Sequence, residues 1–458
     1  MLFPTQPFLL LFLPLTLALY YACASSRRAT IAALFAASLV FYSWWDPRFM
    51  PLLLASTVAN WAIARWYCLR RRDWLITAGV AANLALLGAF KYANFFAASA
   101  AGLAGTTHER WDLILPLGIS FFTFQQVSFL VDMRRDDAPR YSLLDYCTYV
   151  TFFAHLIAGP IVRHDELLGQ FAAPVRRAAT AENLGRGLLL LVLGLVKKVF
   201  IADELAPFAD EGFAAAAATS PDALSAWTAA LAYSLQLYFD FSSYSDMAMG
   251  LAAMFGFKFP LNFDVPYRAL SIQEFWRRWH MTLSRFFRDY VYIPLGGNRG
   301  GMTATNARLM GTMLLCGLWH GAGWTFVAWG GLHGLALCVH RLWTARGLKL
   351  PAPLAWALTM LFVVVGWVLF RAESFGVAAH LLRGMAGCGG PAAAVESDTL
   401  MAISLAAVLA VIPLTNIRLA ERQGLDRPWT AALVGLALVL VALRVGEGRS
   451  LDFIYFQF

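Results

Sequence analysis

The chain is 458 residues long, 59% hydrophobic and only 14% charged, with a formal net charge of +8 and a mean hydropathy of +0.60. A soluble globular protein is about 45–50% apolar and about 25% charged, so the composition excludes a soluble enzyme and describes a polytopic membrane protein. The basic balance fits lysines and arginines on cytoplasmic loops, which set orientation in a bilayer, and not a nucleic-acid partner.

Apolar runs fall at 7–24, 30–45, 50–67, 75–96, 112–131, 144–161, 184–202, 223–256, 307–340, 353–371, 397–415 and 429–445. At about 20 residues per crossing they predict an all-α polytopic membrane protein of roughly ten to twelve spans, with re-entrant or interfacial helices among them. One integral-membrane domain over 1–458 is expected. The first run, within MLFPTQPFLLLFLPLTLALYYACA, has no basic residue ahead of it and reads as a retained first helix rather than a cleaved signal peptide. Arg27 and Arg28, then Arg70, Arg71 and Arg72, then Arg134, Arg135 and Arg140, then Arg163, Arg176 and Arg177 fall on alternate loops, whereas the loop 203–222 is acidic. This asymmetry puts the N-terminus outside the cytoplasm and the arginine loops inside. The run 307–340 is too long for one simple span. Residues 384–398, GMAGCGGPAAAVESD, read as the best flexible loop, and no internal repeat is evident. The six cysteines form no C-x-x-C pair, so neither a metal knuckle nor a disulfide framework is indicated.

One segment differs from the rest. In SIQEFWRRWHMTLSRFFRDY, Ser271–Tyr290, apolar residues recur at helical spacing through Ile272, Phe275, Trp276, Trp279, Leu283, Phe286, Phe287 and Tyr290. Arg277, Arg278, Arg285 and Arg288 lie off that stripe, which predicts a basic amphipathic helix lying in the membrane interface. A Pro/Gly turn, VYIPLGGNRGG, follows and carries Asn298.

The motifs G-x-S-x-G, H-E-x-x-H, G-x-G-x-x-G and the P-loop are all missing, so a serine triad, a zinc protease or a nucleotide site has no support. Polar residues set in apolar sequence then carry the functional weight. No Asp, Glu, Lys or Arg occurs from Leu309 to His340, yet His320 stands there. It is either a buried histidine donating to a backbone carbonyl or a neutral general base. Gly317, Gly321 and Gly323 around it allow close backbone approach or a helix break, and Trp319, Trp324 and Trp329 offer walls. His280 falls on or beside the apolar face of the amphipathic segment, where packing at headgroup level competes with a role in chemistry. Asp240 and Tyr244, in YFDFSSYSDMAMG, share a helix face, whereas Asp240 and Asp246 do not. Lys197 and Lys198 either pair with these carboxylates or snorkel to the interface. His155, before a Gly-Pro break, fits a re-entrant turn; His108, His164, His340 and His380 read as loop or interface residues, and His333 as packing.

Four stretches taken together resemble one family: FWRRWHMTLSRFFRDYVYIPLGGNRGG, LWHGAGWTFVAWGGLHG, YFDFSSYSDMAMG and PLGISFFTFQQVSFLVDMRR. They are similar to the membrane-bound O-acyltransferases. The nearest branch is the bacterial one that holds the alginate O-acetylation membrane subunit, peptidoglycan O-acetyltransferases and the D-alanyl transfer protein of teichoic acid synthesis. The likeness runs from about Tyr42 to the C-terminal FIYFQF, with the core motifs at about 112–345. It departs at Ala154 and His155, where a Pro-Gln pair is the family pattern, and at Gly300, where a basic residue is common.

The resemblance implies a helical bundle around a central pore that narrows at a catalytic histidine. That invariant histidine corresponds to His320, and the family's second, more variable polar position to His280. It implies no metal and no permanently bound cofactor, with acetyl-CoA as the cytoplasmic acyl donor whose phosphates Arg277, Arg278 and Arg285 would meet. Trp319 and Trp324 would shape the channel, Asp240 and Tyr244 would orient helices around it, and Asn298 would line it. It further implies a multi-pass protein of the bacterial inner membrane, a polysaccharide acceptor such as alginate on the far side, and a separate SGNH-hydrolase-like extracytoplasmic partner. D-alanyl or other acyl transfer is the alternative chemistry; a transporter and a non-catalytic scaffold are the alternatives without acyl transfer.

Overall fold

The computed structural model describes residues 1–135, 141–173, 180–391, 394–422, 425, 427–447 and 453–454. Arg140, Arg176, Arg177, residues 392–393 of the expected flexible loop and the last four residues of FIYFQF lie outside the described residues. Among those described, the secondary structure is helical throughout and includes no strand. Each apolar run carries a helix, and the run 307–340 resolves into two, Gly301–His320 and Trp324–Ala345.

Among the described residues, three helices are long and apolar enough to cross a membrane by length and composition alone: Asp73–Leu103, Ala352–Arg371 and Pro428–Gly446. The pair Ser397–Val411 and Asn416–Arg422, bent by 64°, makes a fourth if taken as one span. Helix Ile119–Arg135 is 17 residues long and buries Thr123, Gln125, Gln126 and Ser128. A helix covered by protein can hold polar side chains that a lipid-facing helix cannot.

The chain divides into two compact units. The first comprises Met1–Val192, Asp246–Pro260 and Gln423–Leu438. Its helix Arg27–Ser43 starts where the Ser26 hydroxyl accepts the Ala29 N–H at 3.4 Å, an N-cap that satisfies one open donor. Helix Met50–Arg70 has proline in its first turn and stops at Arg71, whose backbone is left-handed at φ 47°. Helix Leu143–Thr151 is interrupted at Phe152 before the short turn Phe153–Leu156, and the Ser38 hydroxyl accepts the freed Phe153 N–H at 3.2 Å. His155 thus lies just after a broken helix. Three helices of this unit are joined by a buried amide cluster. Asn60 and Asn83 exchange hydrogen bonds at 3.2 and 2.7 Å, Asn60 Nδ2 donates to Gln126 Oε1 at 2.8 Å, and Gln126 Nε2 donates to Ser56 Oγ at 3.1 Å.

The second unit comprises Leu193–Ser245, Leu261–Arg422 and Val439–Phe458. Residues 203–222, expected as an acidic outer loop, instead begin with helix Asp203–Ala218. The reason is an ion cluster that draws Asp203 inward, described below. The 32-residue helix Ala223–Met254 is about 48 Å long at 1.5 Å per residue. Helices Gly301–His320 and Trp324–Ala345 form a hairpin packed glycine to glycine. A Cβ on Gly330 would lie 3.1 Å from Gly317 Cα and would collide with the Met313 carbonyl, and one on Gly317 would lie 3.0 Å from Gly330 Cα. Small residues at such a seam let two backbones approach closely, the usual basis of helix association in lipid.

Candidate active site

His320 is the last residue of helix Gly301–His320, and the chain then runs extended through Gly321 to Gly323 before the next helix starts at Trp324. The glycines here serve space: a Cβ on Gly321 would strike the Phe326 ring. His320 is 3% exposed. Its ring is walled by Trp319 at 4.9 Å, by Trp329 at 5.2 Å and 89°, and by Phe370 at 5.1 Å between centroids. Trp329, fully buried, is itself stacked on Trp367 at 5.6 Å. Trp324 is 56% exposed, and Trp329 is a second indole against the histidine ring.

His280 is wholly buried. The amphipathic segment that carries it is not one continuous helix. Helix Ile272–Arg278, capped by the Ser271 hydroxyl, ends at extended Trp279; His280 is left-handed at φ 41° and ψ 54°; and helix Met281–Phe287 follows. A left-handed residue other than glycine costs about 1–2 kcal/mol, so the break must be held by its surroundings. The Met281 N–H donates to the Asn262 carbonyl at 2.9 Å and the Ser284 N–H to the His280 carbonyl at 3.0 Å. The break turns the imidazole inward, against Phe241 at 4.6 Å and Trp319 at 6.2 Å. One indole, Trp319, therefore touches both histidines expected to be functional.

The row continues to a histidine that sequence reasoning assigned to packing. Trp329 meets His333 at 4.7 Å, and the Trp276 indole N–H donates to His333 Nδ1 at 3.2 Å. An indole nitrogen can only donate, so in the neutral ring His333 carries its proton on Nε2. Asn262, Trp276 and His333 are the site residues that sequence reasoning missed. Trp276 and His333 are 57 residues apart and no local pattern links them.

Asp240 is buried in a charge cluster: Lys198 Nζ lies 2.8 Å from Asp240 and 2.7 Å from Asp203. Of the two readings open for the lysines, Lys198 follows pairing rather than snorkelling. The second Asp240 oxygen accepts the Ile454 N–H at 2.7 Å. Tyr244, also buried, packs on Phe453 at 4.8 Å. Asp240 and Tyr244 thus contact Lys198 and the chain segment at Phe453 and Ile454.

The arginines separate. Arg277 is exposed and Arg285 half-buried, while Arg278 is engaged, bonded to Glu274 at 2.9 Å and to the Asp264 carbonyl at 3.0 Å. Asn298 is exposed and braces its own turn, accepting from the Tyr292 hydroxyl at 2.7 Å and from Arg341 at 3.1 Å. In the first unit, His155 is buried against Tyr149, Phe152 and Phe259, and Gln125 Nε2 donates to its Nδ1 at 2.6 Å.

Residues 73–370 match the family described as MBOAT, membrane-bound O-acyltransferase family. The chain is 45% identical over 405 residues to a probable alginate O-acetylase of Azotobacter vinelandii, covering 84% of this chain and 78% of that protein. It is 43% identical over 430 residues to a peptidoglycan O-acetyltransferase of Helicobacter pylori, covering 85% and 80%. A teichoic acid D-alanyltransferase of Streptococcus thermophilus is more distant, 29% identical over 252 residues, covering 53% and 60%. The chain thus belongs to the membrane-bound O-acyltransferase family and is a membrane-embedded acyltransferase.

Proposed function

We propose that the chain O-acetylates an extracytoplasmic polysaccharide, with alginate the first choice of acceptor, taking the acetyl group from acetyl-CoA on the cytoplasmic side of a bacterial inner membrane. The observation that carries this reading is the buried imidazole of His320 at a helix end, walled by aromatic rings and sharing Trp319 with His280. The names of the relatives, two O-acetylating and one D-alanylating, support acetate over D-alanine as the acyl group.

In this reading a hydroxyl oxygen of the extracytoplasmic partner, which then carries the acetyl ester to the glycan, attacks the thioester carbonyl carbon. His320 takes the hydroxyl proton, the carbon–sulfur bond breaks, and the proton passes to the departing sulfur. General-base assistance of this kind contributes about 10²–10⁴-fold. The aromatic walls keep water from competing as the nucleophile. His280 orients donor or acceptor beside the shared indole. Arg277 is exposed, whereas Arg278 is bonded to Glu274 and to the Asp264 carbonyl, which favours Arg277 over Arg278 for donor phosphates. The final transfer to the glycan is assigned to an SGNH-hydrolase-like partner outside the cytoplasm.

The test is ester-linked acetate on envelope and secreted polysaccharides in cells carrying wild type, His320→Ala or His280→Ala at matched membrane abundance. Loss of acetate with His320→Ala supports the reading, and the fraction that loses it names the acceptor. Loss of D-alanyl ester in place of acetate selects the alternative donor. Unchanged acylation in both variants would leave only a scaffold.

A further inference from the structure

We propose that Asn262 is a positioning residue that fixes the tautomer of His280, placing the proton on Nδ1 and leaving Nε2 as a bare acceptor facing the buried site. The inference rests on the proposed participation of His280 in acyl transfer, but the tautomer itself follows from hydrogen-bond chemistry.

Asn262 is completely buried. Its Oδ1 lies 3.1 Å from His280 Nδ1, 2.9 Å from the Thr282 hydroxyl and 3.3 Å from the Thr282 backbone nitrogen. A backbone N–H can only donate, so the amide atom facing it must be the oxygen, and the common ambiguity of an asparagine flip does not arise. The other end agrees, because Nδ2 donates to the Ser245 hydroxyl at 3.0 Å. An oxygen facing Nδ1 requires a proton on Nδ1. In a neutral imidazole the lone pair is then on Nε2. That nitrogen is buried and has no hydrogen-bond partner among the described residues.

The left-handed backbone at His280 has its reason in the same contact. The Met281 N–H reaches the Asn262 carbonyl while the Asn262 side chain reaches His280 and Thr282. One residue thus clasps the helix break from both its main chain and its side chain. The faces of the ring are taken by Phe241, Phe263 and Trp319. The contrast with His333 is chemical: there the Trp276 N–H fixes the opposite tautomer, with the proton on Nε2. The row therefore offers one imidazole that accepts a proton and one that donates, as orientation of a base by a fixed partner on its second nitrogen requires.

The experiment is nitrogen-15 NMR of the full chain, histidine-labelled and reconstituted in bilayers, with the His280 signals identified by their loss in His280→Gln. The expected wild-type pattern is a protonated Nδ1 and a bare Nε2. Asn262→Leu should shift His280 to the other tautomer or to a mixture and lower kcat by roughly 10²-fold with KM little changed. Asn262→Asp, which keeps an acceptor at the same place and is the control if the leucine variant fails to fold, should retain the tautomer. It should also move the acidic limb of the pH–rate profile to higher pH, because a carboxylate favours the imidazolium. A protonated Nε2 in neutral wild-type His280, or a tautomer unmoved by Asn262→Leu, overturns the proposal. If instead the tautomer follows Asn262 while His280→Gln transfers acetate normally, the assignment of Asn262 stands and the participation of His280 is what fails.

Discussion

Two polar clusters sit in otherwise apolar helices, and they are built in opposite ways. In the first unit, Asn60, Asn83, Gln126 and Ser56 answer one another donor for acceptor at 2.7–3.2 Å. In the second unit, His280, His320 and His333 alternate with indoles, and the Nε2 atoms of His280 and His333 have no hydrogen-bond partner among the described residues. A buried polar group without a partner costs about 1–3 kcal/mol. A fold under no other demand would pair such atoms, as the Asn60–Asn83–Gln126–Ser56 cluster does. The difference separates polar groups that hold helices together from the polar groups to which the proposed function gives a substrate role. The Lys198–Asp203–Asp240 cluster belongs with the first kind although it lies in the second unit, because its partners are internal.

The sharpest way to break this division is to remove a partner from each kind and ask what is lost. Lys198→Met leaves two buried carboxylates facing each other and should cost about 3–5 kcal/mol. Membrane abundance and thermal stability in detergent should fall steeply, and a triple variant that also carries Asp203→Asn and Asp240→Asn should recover most of the loss. Recovery of neither would mean that the cluster does more than hold helices. Asn60→Leu strands the Asn83 carbonyl and the Gln126 oxygen and should cost about 1–3 kcal/mol, read as a lower melting temperature. Acyl transfer per folded molecule should stay at the wild-type level, and a fall in kcat would contradict a purely structural amide cluster. Trp276→Phe keeps an aromatic ring, though a smaller one, and deletes the donor to His333. The expected loss is the smallest, about 1 kcal/mol of stability with transfer reduced no more than about tenfold. No change in either would return His333 to packing.

The parts of this division differ in how far the sequence reveals them. The glycines and histidine of LWHGAGWTFVAWGGLHG were legible because they are local. Gly317, Gly321 and Gly323 allow a close approach or a helix break, and the structure has the approach at Gly317 and the break between His320 and Trp324. The helix break at His280 was hidden because its apolar residues keep helical spacing right through it. The contact that splits the helix comes from Asn262, 18 residues earlier, and tertiary contacts override a local period of this kind. Of the three tryptophans read as walls, Trp319 and Trp329 lie against the His320 ring, and Trp324 is 56% exposed. Spacing placed Asp240 and Tyr244 on one helix face but could not choose between pairing and snorkelling for Lys198. That choice depended on Asp203, which the acidic composition of 203–222 disguised as loop.

The central claim is that His320 does chemistry and does not merely fill a core position. The most direct measurement is acyl transfer from acetyl-CoA by the purified, reconstituted chain, supplied with the extracytoplasmic partner and acceptor that support wild-type turnover, for wild type and His320→Ala at equal folded amounts. The account predicts loss of transfer by at least about 10²-fold with the melting temperature little changed. Transfer at the wild-type rate by His320→Ala would contradict it.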